Sequence, residues 1–134
     1  MTDQSEIRAF FCVCLVLASG IAGAQNLKTG ESVFREICST CHVTGVGGAP
    51  KFGDSADWQP LISMGQVALT AEAWPGVRRM PPKGGRENLR LEEFARAVAY
   101  MARAVEANWP DPDVNMLLAI NAEENKSRAA PGRK

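Results

Sequence analysis

The sequence predicts an all-α fold, with three to five helices in one small domain. Two observations lead to this prediction. Apolar residues recur at helical spacing in the second half of the chain, and no stretch alternates between apolar and polar residues as a half-buried strand does. The recurring apolar residues are Leu91, Phe94, Val98, Met101 and Val105. The chain has 134 residues, which is enough for one core of modest size.

The N-terminal segment has the features of an export signal. Arg8 precedes an apolar run over residues 9–17, and Ala22-Gly23-Ala24 fits the rule of small residues before a cleavage site. The residues before Arg8 are acidic, which departs from the usual basic start. An uncleaved membrane anchor is the alternative, but the apolar run is shorter than the roughly 20 residues that span a bilayer. We expect residues 1–24 to be a cleaved signal peptide. The mature protein is then expected in the periplasm, without a stable membrane span.

Charge excludes one class of partner. The chain has 15 basic and 15 acidic side chains, and removal of the leader leaves the two nearly equal. A nucleic-acid-binding domain usually has a marked basic excess, so we do not expect nucleic acid as a partner.

Cys38, Cys41 and His42 form a Cys-x-x-Cys-His motif, and His42 is the only histidine of the chain. Two thiols at this spacing can bond covalently to a c-type haem while the adjacent imidazole binds iron. A thioredoxin-type redox pair and a zinc site use the same cysteine spacing. A thioredoxin-type pair is expected beside strands, and none is predicted here. A zinc site needs two further ligands, but the other cysteines, Cys12 and Cys14, lie in the leader. The motif therefore predicts one covalently bound haem c.

The first half of the mature chain reads as three helices joined by glycine-rich turns. A helix is predicted from Thr29, a suitable N-cap, to His42, and a loop follows it. Asp57 to Ile62 is predicted as a short helical turn. Gly65 to Trp74 is predicted as a helix that ends at Pro75-Gly76.

The second half begins with an ordered loop from Arg78 to Arg86, because its prolines and glycines exclude a regular helix. The long amphipathic helix follows, and Pro110 and Pro112 are expected to stop it. Asp113 can cap a further short helix, and we expect Ser127 to Lys134 to be disordered. The predicted division is a haem domain at residues 25–108 and a C-terminal extension at residues 109–134.

A haem iron that only carries electrons needs a second strong axial ligand, because a vacant position invites reactions with oxygen or peroxide. Without a second histidine, a methionine thioether is the expected ligand. The candidates are Met64, Met80, Met101 and Met116. Pro81-Pro82 holds the backbone after Met80 extended, which favours Met80 for the sixth position. Met101 is read as a core residue of the long helix.

Taken together, these motifs resemble the class I cytochromes c, and among them the bacterial cytochrome c₅ group. The resemblance covers about Gly30 to Tyr100. Its main parts are the pentad Cys38 to His42, the run Gly48 to Asp54, Trp58, and the run Met80 to Gly85. It implies a class I cytochrome c fold around one covalent haem and a single-haem electron carrier with His42 and Met80 as axial ligands.

The resemblance also implies roles for neighbouring residues. The Pro50 carbonyl would accept a hydrogen bond from the outer nitrogen of His42. Gly30 and Phe34 would contact Tyr100 where the first and last core helices cross.

Two positions depart from the group. Leu61 replaces a common arginine, and Arg90 replaces a common serine or threonine cap. The partner of a haem propionate is therefore open, with Trp58, Arg78 and Arg79 as candidates.

The expected function is one-electron transfer between redox-partner proteins, and not catalysis. Lys51, Lys83 and Arg86 would surround the exposed haem edge, where docking is salt-sensitive. A peroxidase-like enzyme is the less favoured alternative, because the chain has no second histidine for the distal side and Glu87, the nearest charged candidate in the sequence, is more readily a surface residue. A further alternative is a subunit of a larger periplasmic oxidoreductase, docked through an apolar set in the extension. That set is Val114, Leu117, Leu118 and Ile120.

Overall fold

The computed structural model describes residues 26–130, and this part of the chain contains five longer helices, two short 3₁₀ turns (Val46–Gly48 and Pro82–Gly85) and no strand. Helix α1 covers residues 30–42 in three segments: α-helical Gly30–Val33, one π-helical turn Phe34–Cys38, and α-helical Ser39–His42. The others are α2 (Ser55–Ile62), α3 (Gln66–Ala73), α4 (Leu91–Arg103) and α5 (Val114–Ala129). The prediction of an all-α fold is confirmed.

Helix α1 starts where the sequence predicts and then departs from regular geometry. The Thr29 hydroxyl accepts a hydrogen bond from the Ser32 N–H at 3.1 Å, so the predicted N-cap is confirmed. The π-helical turn ends at Cys38, the first residue of the cysteine motif. Such wide turns are uncommon and concentrate at functional sites.

The crossing of α1 and α4 forms the centre of the fold. Gly30 lies so close to α4 that a Cβ at this position would sit 2.2 Å from the Arg96 carbonyl oxygen. One turn further along, the Phe34 ring lies 5.5 Å from the Tyr100 ring and 4.5 Å from the Phe52 ring, centroid to centroid. The predicted contact of Gly30 and Phe34 with Tyr100 is therefore present, and it requires a residue without a side chain at position 30.

Helix α4 is the core helix, and its N-terminus is satisfied without the usual serine or threonine cap. The Glu93 carboxylate accepts hydrogen bonds from the backbone N–H of Arg90 at 3.3 Å and of Lys28 at 3.0 Å. The bond to Arg90 is the glutamate half of a capping box, and the bond to Lys28 ties the start of α1 to the start of α4.

Helix α4 ends earlier than the prolines predict. Its last residue is Arg103, whereas the sequence analysis extends the helix towards Asn108. Glu106 has a left-handed backbone (φ 67°), which terminates the helix, and the Arg103 guanidinium then binds the Trp109 carbonyl at 2.8 Å. The chain is turned back by this contact before Pro110 is reached.

The C-terminal extension is a long helix packed on the other helices. Asp113 accepts a hydrogen bond from the Met116 N–H at 2.8 Å, which confirms the predicted cap. The expectation of a short helix and a disordered end from Ser127 is wrong as far as Ala129, because α5 continues to that residue. Ile120 is fully buried against Ala71 of α3 and Ala95 of α4.

Two predicted segments lie outside the described residues. The expected signal peptide, residues 1–24, is one of them, and the last four residues are the other. Between residues 26 and 130, no helix is both long enough and apolar enough to cross a membrane.

Candidate haem-binding site

The two cysteines of the motif lie near the end of α1. Cys38 is buried at the end of the π-helical turn, and Cys41 is half-buried one turn later. Neither thiol is in a disulfide. Burial raises the pKa of the Cys38 thiol to about 11. A thiol-exchange pair works through a thiolate with a lowered pKa, so the site does not suit a thioredoxin-type reaction.

His42 is buried, and its ring orientation is set by one hydrogen bond. The imidazole Nδ1 lies 2.9 Å from the Pro50 carbonyl oxygen. A carbonyl can only accept, so Nδ1 carries the hydrogen and the lone pair of Nε2 is left to bind a metal. The bond predicted from the family resemblance is present. The loop that supplies it is closed by a second contact, from the Phe52 N–H to the His42 carbonyl at 2.6 Å.

Met80 lies on a tight turn of the following loop. Val77 and Met80 exchange two backbone hydrogen bonds of 3.1 and 2.9 Å, which fix the backbone at Met80. The Met80 side chain is half-buried and packs against the core cluster that also contains Cys38. The extended backbone at Pro81 (φ −71°, ψ 158°) follows it directly, as the sequence analysis predicts.

Trp74 anchors this loop, and the sequence analysis did not identify it. Its carbonyl accepts a hydrogen bond from the Lys83 N–H at 3.0 Å, and its ring meets Phe94 edge-on at 5.2 Å. Gly76 follows with φ 91°, and a Cβ there would lie 2.9 Å from the Pro82 nitrogen. The position of this tryptophan directly before Pro-Gly is the one sequence signal that could have indicated its role, but the residues that it contacts are distant in the chain.

The other methionines have different surroundings. Met101 is buried in the core face of α4, as predicted. Met116 packs in the separate cluster around Ile120, and Met64 is 41% exposed. Met80 and Met101 are thus the two methionines that contact the cluster containing Cys38.

A cavity of about 410 Å³ adjoins the His42 loop. The loop forms most of its wall, from Thr44 to Lys51, and Arg78 lines it from the Met80 loop. Leu61 and Asp57 of α2 complete the lining. The cavity therefore lies between the segment that orients His42 and the segment that carries Met80.

Comparison with known proteins identifies the family. Residues 25–101 match the family model described as cytochrome c oxidase, cbb3-type, subunit III. The chain belongs to this family, as a c₅-like class I cytochrome c. Cytochrome c-555 of Chlorobaculum tepidum is 40% identical over 90 residues, which are 64% of this chain and 83% of the relative. Cytochrome c5 of Azotobacter vinelandii is 35% identical over 77 residues, 56% and 93% of the two chains.

A solved structure supports the same fold. A cytochrome c in a crystal structure of an electron transfer complex with nitrite reductase has a TM-score of 0.55 and 41% identity, and the match covers 57% of this chain and 93% of that chain. The predicted class I fold is confirmed. The protein is a mono-haem electron carrier and not an enzyme, and its cofactor is a covalently bound haem c.

The donor set of this cytochrome fits that cofactor. It offers two thiols one helical turn apart, an imidazole with a free Nε2, and a thioether on a fixed loop. The cavity adds cationic side chains, which suit the carboxylates that haem carries. When bound, haem would supply an iron that changes its charge by one electron.

The role expected for Trp58 needs correction. Trp58 is buried, but its indole N–H donates to the Lys51 carbonyl at 2.9 Å. An indole has one donor, so it has none left for a haem propionate. Trp58 of this cytochrome instead ties the His42 loop to α2.

Two of the three basic residues expected around the haem edge, Lys51 and Lys83, have partners in the cytochrome. The Lys51 ammonium lies 3.5 Å from an Asp54 carboxylate oxygen, and the Lys83 ammonium lies 5.3 Å from the centre of the Trp74 ring. Arg86 is exposed. Glu87, the group considered for a distal role, is also exposed, and its carbonyl accepts a hydrogen bond from Lys83.

Proposed function

We propose that this cytochrome is exported to the periplasm, where it passes single electrons between redox-partner proteins. In the proposal, haem is attached through Cys38 and Cys41, and iron is held between His42 and Met80. The observation that carries the proposal is the 2.9 Å hydrogen bond from His42 Nδ1 to the Pro50 carbonyl. It prepares Nε2 as a ligand and strengthens it as a donor.

The chain's own residues would also set the potential. A methionine thioether is a soft, weak donor, and a histidine–methionine pair therefore favours the ferrous state compared with two histidines. The backbone hydrogen bonds of the Met80 turn and of the Trp74 carbonyl fix the loop that carries this donor. With both axial positions taken by side chains, small molecules such as carbon monoxide would have no entry to the iron.

Methionine substitution tests the ligand assignment. We expect Met80→Ala to abolish the thioether-to-iron charge-transfer absorption of the oxidised protein and to open the reduced protein to carbon monoxide. Met64→Ala is the matched control, because Met64 is exposed and away from the core cluster, and it should behave as wild type. Rapid, stoichiometric carbon monoxide binding to the wild-type protein would contradict permanent ligation.

Covalent attachment is tested separately. The full chain, expressed with haem-attachment machinery, should keep its colour in acidic acetone, because thioether bonds survive this extraction and simple coordination does not. Cys38→Ala and Cys41→Ala together should release the haem. Colourless wild-type protein would refute the proposal.

Docking to partners is proposed to use the basic residues Lys51, Lys83 and Arg86. Weak encounters between redox proteins depend on complementary charge, so their rates fall with added salt. The relative crystallised with nitrite reductase supports an oxidoreductase as one partner class. Electron-transfer rates measured against ionic strength test this part, and a flat response would remove it.

A second proposal is that the cytochrome is a subunit of a larger periplasmic oxidoreductase. The description of the matching family supports it, and so do Val114 and Leu118 of α5, which are 72% and 63% exposed. Leu117 and Ile120 instead pack on the cytochrome itself. We expect the double variant Val114→Gln, Leu118→Gln to lose co-purifying subunits while Ala119→Gln, at an exposed position on another face of α5, retains them, and equal co-purification would contradict the proposal.

A further inference from the structure

We propose that the Arg78 guanidinium binds a propionate carboxylate of the haem. This inference rests on the proposed attachment of haem at Cys38, Cys41 and His42. Arginine suits the task because its planar fork pairs with both oxygens of a carboxylate and stays charged at every relevant pH.

The position of Arg78 carries the first step. It lines the cavity of about 410 Å³ whose opposite wall is the loop from Thr44 to Lys51. That loop includes Pro50, the residue that orients His42. A carboxylate at the edge of a haem bound to His42 would therefore meet this cavity, and Arg78 faces it.

The charges around the cavity carry the second step. Three charged side chains line it: Lys51, Asp57 and Arg78. The Lys51 ammonium is paired with Asp54 at 3.5 Å, and the Asp57 carboxylate accepts the Lys51 N–H at 2.9 Å. Within residues 26–130, the Arg78 guanidinium has no carboxylate partner. Arg78 is thus the cation of the cavity that is available to a ligand.

The contrast with Arg79 carries the third step. Arg79 packs across the Gly47 backbone, with its Nε 3.3 Å from the place that a Gly47 Cβ would occupy, and it does not line the cavity. Arg78 has a left-handed backbone (φ 53°), an unfavourable conformation for a residue with a Cβ. The two consecutive arginines therefore have different surroundings, and Arg78 is the one at the cavity. Leu61 lines the same cavity and adds no charge.

Loss of the ion pair between Arg78 and the haem propionate would alter the reduction potential of the haem. Arg78 neutralises one propionate, so its removal leaves an uncompensated negative charge beside the iron. Negative charge stabilises the ferric form more than the ferrous form, and the potential falls. We expect Arg78→Gln to lower the equilibrium constant for reduction about tenfold, which is about 59 mV for a one-electron couple.

The experiment compares three variants of the full-length cytochrome carrying haem, by redox titration at one neutral pH and one salt concentration, with absorption spectra as a check on ligation. Arg78→Gln should show the shift, and Arg78→Lys should restore most of it because it keeps the charge. Arg79→Gln removes the same charge from the neighbouring residue, which does not line the cavity, and should change the constant less than about twofold.

Several outcomes would overturn the inference. An Arg78→Gln protein with wild-type spectra and a wild-type potential would do so, and so would an equal shift in Arg79→Gln. If Arg78→Gln accumulates no haem, retention of haem by Arg78→Lys supports the inference and its loss there refutes it. Wild-type protein without acid-stable haem would refute the proposed function as a whole, which separates the two failures.

Discussion

Gly30→Ala is the substitution for which structure and helix propensity predict opposite results. Gly30 is the first residue of α1, and alanine favours a helix over glycine by up to about 1 kcal/mol. The alanine Cβ, however, would lie 2.2 Å from the Arg96 carbonyl oxygen and 3.0 Å from the Tyr100 Cβ. The contact at 2.2 Å is with backbone, so no side-chain rotation can relieve it.

We therefore expect the steric term to win. Overpacking of a close helix crossing costs roughly 1–3 kcal/mol, and this contact belongs at the upper end of that range. A net loss of about 2 kcal/mol would lower the Tm by roughly 10 °C in a domain of this size. The assay is thermal unfolding of the haem-loaded protein, followed by the helical circular dichroism signal.

Gly53→Ala is the matched control. Gly53 has no heavy atom within 4 Å of its added Cβ, so the substitution meets only the cost of a positive φ (77°). This cost is about 1–2 kcal/mol, without any effect on helix crossing. A Gly30→Ala protein that is as stable as wild type would refute the reasoning, because it would show that α1 and α4 can separate at no cost.

Three further predictions concern other parts of the fold. Ile120→Ala should cost about 2–5 kcal/mol in denaturant unfolding, because Ile120 is fully buried between α3, α4 and α5, and a loss below 1 kcal/mol would mean that α5 is not docked. Trp58→Phe should cost about 0.5–1.5 kcal/mol beyond any packing change, because it removes the indole hydrogen bond while the Lys51 carbonyl keeps its bond from the Asp54 N–H; denaturant unfolding of the variant and wild type measures this, and a loss above about 3 kcal/mol would contradict it. The pKa of the Asp54 carboxyl is lowered, mainly by its hydrogen bond from the Asp57 N–H. The stabilising effect of the ionised carboxylate is therefore present above the ordinary carboxyl pKa of about 4 and is lost as pH falls through the lowered value. Profiles of Tm against pH for Asp54→Asn and wild type should converge in acid, and parallel profiles would contradict this.

Features set by neighbouring residues were predictable from the sequence. The caps at Thr29 and Asp113 depend on one side chain and the next few backbone N–H groups. The amphipathic face of α4 depends only on spacing, and the structure buries Phe94, Val98 and Met101 as expected. Local patterns of this kind act over one or two helical turns, which is the range over which sequence periodicity is informative.

Features set by contacts between distant residues were missed. The composition from Ser127 onward suggests disorder, but Arg128 pairs with the buried Glu124 one turn earlier, and the helix continues to Ala129. From the sequence, the indole N–H of Trp58 could donate to a ligand. Its acceptor is the Lys51 carbonyl, which only the folded loop brings within reach. The π-helical turn that ends at Cys38 likewise has no signature in the local pattern.

The sequence by itself determined the chemistry of this cytochrome, because two thiols and an imidazole within five residues are placed by one stretch of helix whatever the rest of the chain does. Tertiary structure decided how that chemistry is surrounded. It set which of two adjacent arginines lines the cavity, which helix packs closely against Gly30, and which segment packs on α3. Those outcomes depend on where separate segments meet in space, and the order of residues along one segment does not contain that information.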